Sequence, residues 1–180
     1  MLYEVLKNSW REPKRGRYLK ELRILGVDPG INITGYGVIE KERDRIAGIV
    51  YGEIRRVKGE LLSRCLARIY DNLMEVIKSS TPDAIAMEDV FYGKNVKSLV
   101  KQAQVRGVVI LASFHSSIPI YDYTPLEVKK AVVGYGRAEK GQVQQMVRTI
   151  LSLSELPPVD ASDALAIAIC HSNFLKAVST

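Results

Sequence analysis

Four acidic residues stand where acids call for an explanation. Asp28 closes the apolar run LRILGVD, just ahead of Pro29-Gly30, and Glu88 sits at the end of IAME. Asp160 and Asp163 lie three apart in VDASDALAIAI, so on a helix they project from neighbouring points of one turn. Each has an ordinary reading on its own. Asp28 reads as a turn residue capping a local amide. Asp160 and Asp163 read as the N-cap and N3 acids of a helix start, where the dipole favours negative charge. Glu88 is harder to set aside, because a charge in an apolar run is costly to bury unpaired. Its neighbour Asp89 points to the opposite face of a strand. Brought to one place, four carboxylates repel one another unless a cation lies between them. Oxygen ligands of this kind select a hard ion, Mg²⁺ or alternatively Mn²⁺. Two such ions per site would stabilise the attacking and leaving oxygens of an in-line displacement at phosphorus. The chemistry expected is metal-dependent phosphodiester hydrolysis.

The elements that must position these acids follow from the hydropathy pattern. LRILGVD, ITGYGVIE and residues 45–54 read as three strands, the last two a hairpin. Leu61, Leu62, Cys65, Leu66, Ile69, Leu73, Val76 and Ile77 then recur at helical spacing, in a pattern opened by Gly59. DAIAMEDVF is a short buried strand. A helix from about residue 95 to 113 carries Val96, Leu99, Val100, Ala103, Gly107, Ile110 and Leu111 on one face and Lys94, Lys97 and Lys101 on another. IPIYDY is a fifth strand, Thr124-Pro125 starts a helix with a good cap, and two more helices cover 139–151 and 159–177. The order β-β-β-α-β-α-β-α-α-α implies an α/β protein with a five-stranded mixed sheet flanked by helices, the layout of the ribonuclease H-like fold. In that layout the first and fourth strands are neighbours, which sets Asp28 beside Glu88.

The chain of 180 residues suits one domain, expected over residues 22–180, preceded by a basic arm over 1–21 of peripheral importance at most. Net charge is +6, of which +4 falls within the first 23 residues. Such a balance suits a polyanionic partner. Cys65 and Cys170 show no metal-ligand spacing and read as reduced core thiols, and His115 and His171 show none either. No apolar stretch reaches a membrane span and no secretory leader is evident, so a cytoplasmic protein is expected.

The segments ILGVDPGINITGYGVI, IAMEDVFYGKNVKSLVKQAQVRGVVI, VKKAVVGYGRAEKGQVQQMV and VDASDALAIAI resemble, in order and spacing, the signature blocks of the RuvC family of bacterial Holliday junction resolvases. The resemblance runs from about Leu22 to Ala177. It implies a homodimer that cuts two symmetric strands of a four-way DNA junction, in functional company with a branch-migration helicase. It assigns the catalytic and metal-binding roles to Asp28, Glu88, Asp160 and Asp163, although some relatives carry His at the position of Asp160. It makes Phe91 an aromatic that engages bases near the crossover, and Lys129 and Lys140 cations that hold DNA near the cut. The residues themselves add Tyr92, Lys94 and Lys97 to that DNA-binding set, since aromatics beside cations suit stacking on unpaired bases. Lys140 follows Glu139 at a helix start, where a cation opposes the dipole and so asks for another reason. Two alternatives stand beside this reading. One is a nucleotide-binding protein of the actin-like kinase type, which fits GVDPGINITGYGV but needs two such domains; the other is a different ribonuclease H-like nuclease.

Overall fold

The computed structural model of the protein describes residues 21–89 and 96–178. Strands β1 (Leu22–Asp28), β2 (Ile33–Glu42) and β3 (Arg45–Arg55) run as an antiparallel meander, as the apolar runs and their turns predict. Helix α1 (Leu62–Ser80) crosses back to β4 (Ala84–Glu88), and helix α2 (Val96–Ser116) to β5 (Ile120–Tyr123). Both crossovers produce parallel pairs, giving the order β3-β2-β1-β4-β5. Helices α3 (Pro125–Val133), α4 (Lys140–Ile150) and α5 (Val159–Val178) complete the chain. The expected element order therefore holds. The α1 boundary shifts: residue 61, not Gly59, is the N-cap. Thr124 caps α3 through a reciprocal pair with Glu127, as expected of Thr-Pro at a helix start.

Strand alternation divides the core in two. Leu25, Val27, Ile85 and Met87 pack with α1 and α2 on one face. Ile24, Ile39 and Ala86 pack with α3, α4 and α5 on the other. Asp28 and Glu88 follow these alternations onto the α5 face. The register Val27↔Met87 sets them side by side at the same end of the sheet.

Helix α5 is buried along almost its whole length from Ala161 to Ser172, so it is an inner layer, not a surface helix. It lies unusually close to the sheet. A Cβ built on Gly26 would stand 1.9 Å from the Ala164 carbonyl oxygen, and one on Gly35 would stand 1.9 Å from the Asp160 carbonyl oxygen. Glycine is required at both positions by this close approach and not by dihedral angle. Ala161, Ala164 and Ala168 supply the matching small surface on the helix.

Helix α2 departs from a simple core assignment. Val105, Val109 and Ala112 are its buried face. The expected apolar face of Val96, Leu99, Val100, Ala103, Gly107, Ile110 and Leu111 is turned to solvent apart from the half-buried Leu99, with Val96, Val100, Ile110, Leu111 and Phe114 45–57% exposed.

The close packing predicts that Gly35→Ala pushes the first turn of α5 off the sheet. Overpacking of this kind costs roughly 1–3 kcal/mol. Urea denaturation should register that loss, and nuclease activity should fall further than the loss of folded protein explains. Unchanged stability and activity would show that the helix yields without disturbing the acids.

Candidate metal-dependent nuclease centre

Three elements deliver the four acids. Asp28 ends β1, Glu88 ends β4, and Asp160 and Asp163 lie near the start of α5. The first helical hydrogen bond of α5 runs from Ser162 N to Pro158 O at 2.8 Å. Residue 158 is therefore the cap, so the helix begins at Val159 as expected, both acids lie inside it, and the ordinary reading of Asp160 as N-cap with Asp163 at N3 does not hold. The Asp160 carbonyl lies against Gly35 of β2, Asp160 lines a cavity with the loop after Asp28, and Asp163 lines another cavity.

Two open cavities meet at Asp28. One, of about 300 Å³, is lined by Asp28, Glu88, Lys129, Lys140 and Asp163 with apolar walls from α3, α4 and α5. The other, of about 370 Å³, is lined by Asp28, Asn32, Lys101, Gln102 and Asp160. Asp28 is thus the shared wall. Among the described residues no three acid, histidine or cysteine side chains already close around a single point. The acids border open space, as a centre must if it is to admit a phosphate between its ligands.

The electrostatics show what the cluster lacks. Burial, then the charges of Asp163, Glu88 and Asp160, raise the Asp28 carboxyl from the usual 3.8 to about 7, against a smaller opposing pull from Lys140. Burial and Asp163 raise Glu88 likewise, with Lys140 and Lys129 opposing. The Lys140 ammonium donates to Asp163 Oδ2 at 2.9 Å, and this contact raises its own pKa. Lys140 occupies the first position of α4, against the dipole. The bond to Asp163 answers the conflict noted in the sequence: the cation is there for the acids. The donor set, with its oxygen ligands and unneutralised charge, fits hard divalent cations.

Of the other sequence-derived positions, Lys129 and Lys140 line the cavity with Glu88. Lys97 is exposed in the first turn of α2 and lines neither cavity, whereas Lys101, one turn on, lines the second. Phe91, Tyr92 and Lys94 lie outside the described residues. Asp89 diverges from Glu88 and lies 3.8 Å from Arg106. His171 is buried and shares a 2.6 Å hydrogen bond with the Tyr123 hydroxyl, and both cysteines are free and buried.

Arg106 was not found by sequence reasoning. Its side chain is only 11% exposed. It donates to the Glu88 carbonyl oxygen and, at 2.9 Å, to Asp122 Oδ1. It thereby ties the end of β4 to β5 and α2. An arginine inside an otherwise apolar helical stretch was the available signal, by the same cost argument that marked Glu88.

The sequence model of crossover junction endodeoxyribonuclease RuvC matches residues 24–171. The chain belongs to the RuvC family. Its relatives include the RuvC endonuclease of Caldanaerobacter subterraneus subsp. tengcongensis, 50% identical over 151 residues that cover 83% of this chain and 92% of that one. The RuvC of Clostridioides difficile strain 630 is 48% identical over 158 residues, covering 87% and 94%. Among solved structures, T. thermophilus RuvC in complex with Holliday junction substrate superposes with a TM-score of 0.83 at 32% identity, covering 88% of this chain and 97% of that one. The ribonuclease H-like expectation is met, the chain is an endodeoxyribonuclease of the RuvC family, and the nucleotide-binding alternative is not favoured.

A metal-free centre with these properties makes stability depend on pH. The Asp28 carboxyl has a higher pKa folded than unfolded, so its contribution is present below about pH 4 and lost as pH rises through 7. The melting temperature in EDTA should fall across that window, less so in Asp28→Asn. Mg²⁺ should raise it more at pH 8 than at pH 5. Thermal scans at the two pH values check this; equal Mg²⁺ shifts in both proteins would place the ion elsewhere.

Proposed function

We propose that this chain resolves four-way DNA junctions as a homodimer, hydrolysing symmetric phosphodiesters at Asp28, Glu88, Asp160 and Asp163 with Mg²⁺ or Mn²⁺ as cofactor. The observation that carries the reading is the meeting of Asp28 and Glu88 on adjacent strand ends, beneath the acids of α5, in a chain half identical to RuvC endonucleases. The junction as substrate is supported by the complex in which T. thermophilus RuvC was solved.

The residues divide the work. Asp28, on the wall between the two cavities, would hold divalent cations together with Glu88 and Asp163 of one cavity and Asp160 of the other. Bound divalent cations supply Lewis-acid charge at the scissile phosphate and at the attacking and leaving oxygens. Water adds to phosphorus and the 3′-oxygen leaves, giving a 5′-phosphate and a 3′-hydroxyl. Lys129 and Lys140 set positive charge against the phosphate from the α3–α4 side. Lys140 also holds Asp163 until cations take up its charge. Arg106 fixes the backbone of Glu88, so that acid need not be ordered when substrate arrives.

A two-fold symmetric substrate calls for a two-fold symmetric enzyme. The exposed stripe of Val96, Val100, Ile110, Leu111 and Phe114 on α2 suits an isologous helix-to-helix contact, with Ala103 and Gly107 mid-stripe permitting close crossing. No helix among the described residues is long and apolar enough to cross a membrane. A branch-migration helicase is the functional partner implied by the resemblance.

Asp28→Asn should abolish cleavage of a four-way junction while leaving junction binding within a few-fold, because phosphate contacts come from Lys and Arg. The assay compares a four-way junction with linear duplex and RNA–DNA hybrid, with and without Mg²⁺. Preferential cutting of the hybrid would assign the chain a different ribonuclease H-like activity, and residual cutting by Asp28→Asn would refute the metal assignment. The dimer has its own test: Leu111→Glu should sediment as a monomer and lose paired incision, and a persistent dimer would move the contact off α2.

A further inference from the structure

The turn between β3 and α1 lies at the catalytic end of the sheet. Strand β2 links the two: its Gly35 is in register with Asp28 at the end of β1, and its Ile33 with Arg55 at the end of β3. The turn therefore leaves the sheet two strands from Asp28, about 10 Å to the side at the usual strand spacing. Arg56 N donates to Asn32 O at 2.8 Å, which ties the turn to the loop that follows Asp28.

This corner concentrates the positive charge of the folded body. Residues 53–68 hold five Lys/Arg against two Glu, a net +3. Residues 24–180 as a whole hold 19 against 17, a net +2. Three of the five cations are used internally. Arg68 pairs with Glu60 at 2.7 Å and donates to the Arg55 carbonyl, Arg56 donates to the Glu60 carbonyl at 2.8 Å, and Arg55 pairs with Glu53. Lys58 and Arg64 are exposed and form no ion pair among the described residues. Both line an open groove of about 300 Å³, completed by Val57, Gly59, Glu60 and Leu61. The one acid of that groove is spent: both Glu60 carboxylate oxygens accept from Arg68, and one accepts also from Val57 N.

We infer that this groove is a second DNA-backbone site, in which Lys58 and Arg64 hold a phosphate of a junction arm on the side of the centre opposite Lys129 and Lys140. The inference rests on the resolvase reading and extends it. The guanidinium fork of Arg64 matches phosphate oxygens and the Lys58 ammonium adds a point charge. The braces among Arg68, Arg56 and Glu60 hold the turn in shape before DNA arrives. At 3.4 Å of rise per nucleotide, a 10 Å offset sets the contacted phosphate roughly three nucleotides from the cut. The sheet end would then carry cations on both flanks of the acids, so a strand crossing it is held on each side of the scissile bond.

The test uses the full-length protein and a four-way junction without divalent metal, so that binding is read alone. Lys58→Gln/Arg64→Gln should lower the slope of log K against log salt by about 1–2. Single neutral methylphosphonates placed along the arm should weaken wild-type binding most at about three nucleotides from the cut, and should cost the double variant nothing there. With Mg²⁺, the double variant should show a raised KM at unchanged kcat. Lys58→Arg/Arg64→Lys, which keeps the charge, should restore the wild-type slope; its failure to do so would mean that the first variant acted through misfolding and would overturn the assignment. An unchanged slope and interference pattern in the Gln variant would also overturn it, and would turn the search for this groove's partner to acidic protein surfaces. If wild type itself does not prefer four-way junctions to duplex, the resolvase reading fails first, a result distinguishable from failure of this contact alone.

Discussion

The distance between helix α5 and the sheet governs the rest of the molecule. Two of the four acids ride on that helix and two on the strand ends beneath it, so every separation between the two pairs follows from how deeply α5 settles. Helix–sheet packing with ordinary side chains at the contact would hold the acids apart. Gly26 and Gly35 on the strands, matched with Ala161, Ala164 and Ala168 on the helix, remove the intervening methyl groups and let backbone approach backbone. Such contacts gain little from transfer of large apolar side chains. The energy that holds α5 down comes from Leu165, Ile167 and Ile169, which bury in one core with α3, α4 and the sheet.

The acids themselves work against the fold. Desolvated carboxylates close to one another favour the protonated form, as the raised Asp28 and Glu88 show. The protein answers partly with Lys140, whose position against the α4 dipole is tolerable because Asp163 receives it. The remaining deficit is what makes the site attractive to divalent cations. Here the site's destabilising feature and its function are the same charge imbalance.

Much of this could be read from the sequence. Asp28 and Glu88 were legible because strand alternation and strand order are simple geometric rules, and both acids obey them. The two α5 acids were legible as a pair near the start of a helix over 159–177, and the hydrogen bond from Ser162 to Pro158 excludes the capping role that Val-Asp-Ala-Ser-Asp also permits. The apolar stripe of α2 was seen, but periodicity reports that a face exists and not what covers it. Arg106 was hidden because its partners are a carbonyl and a carboxylate from distant segments, neither of which leaves a mark near residue 106. The Lys58–Arg64 groove was hidden for a related reason, since a run with five cations looks like a solvated surface until the pairing of three of them is known.

The buried position of α5 has a consequence for the life of the polypeptide before it is finished. Asp28 and Glu88 are made early, but Asp160 and Asp163 arrive on the last helix, and that helix is also the inner layer on which one whole face of the sheet depends. A nascent chain that has not reached α5 therefore has Asp28 and Glu88 without Asp160 and Asp163, and leaves the apolar α5 face of the sheet uncovered. Closing that half of the core and bringing the four acids together are one event.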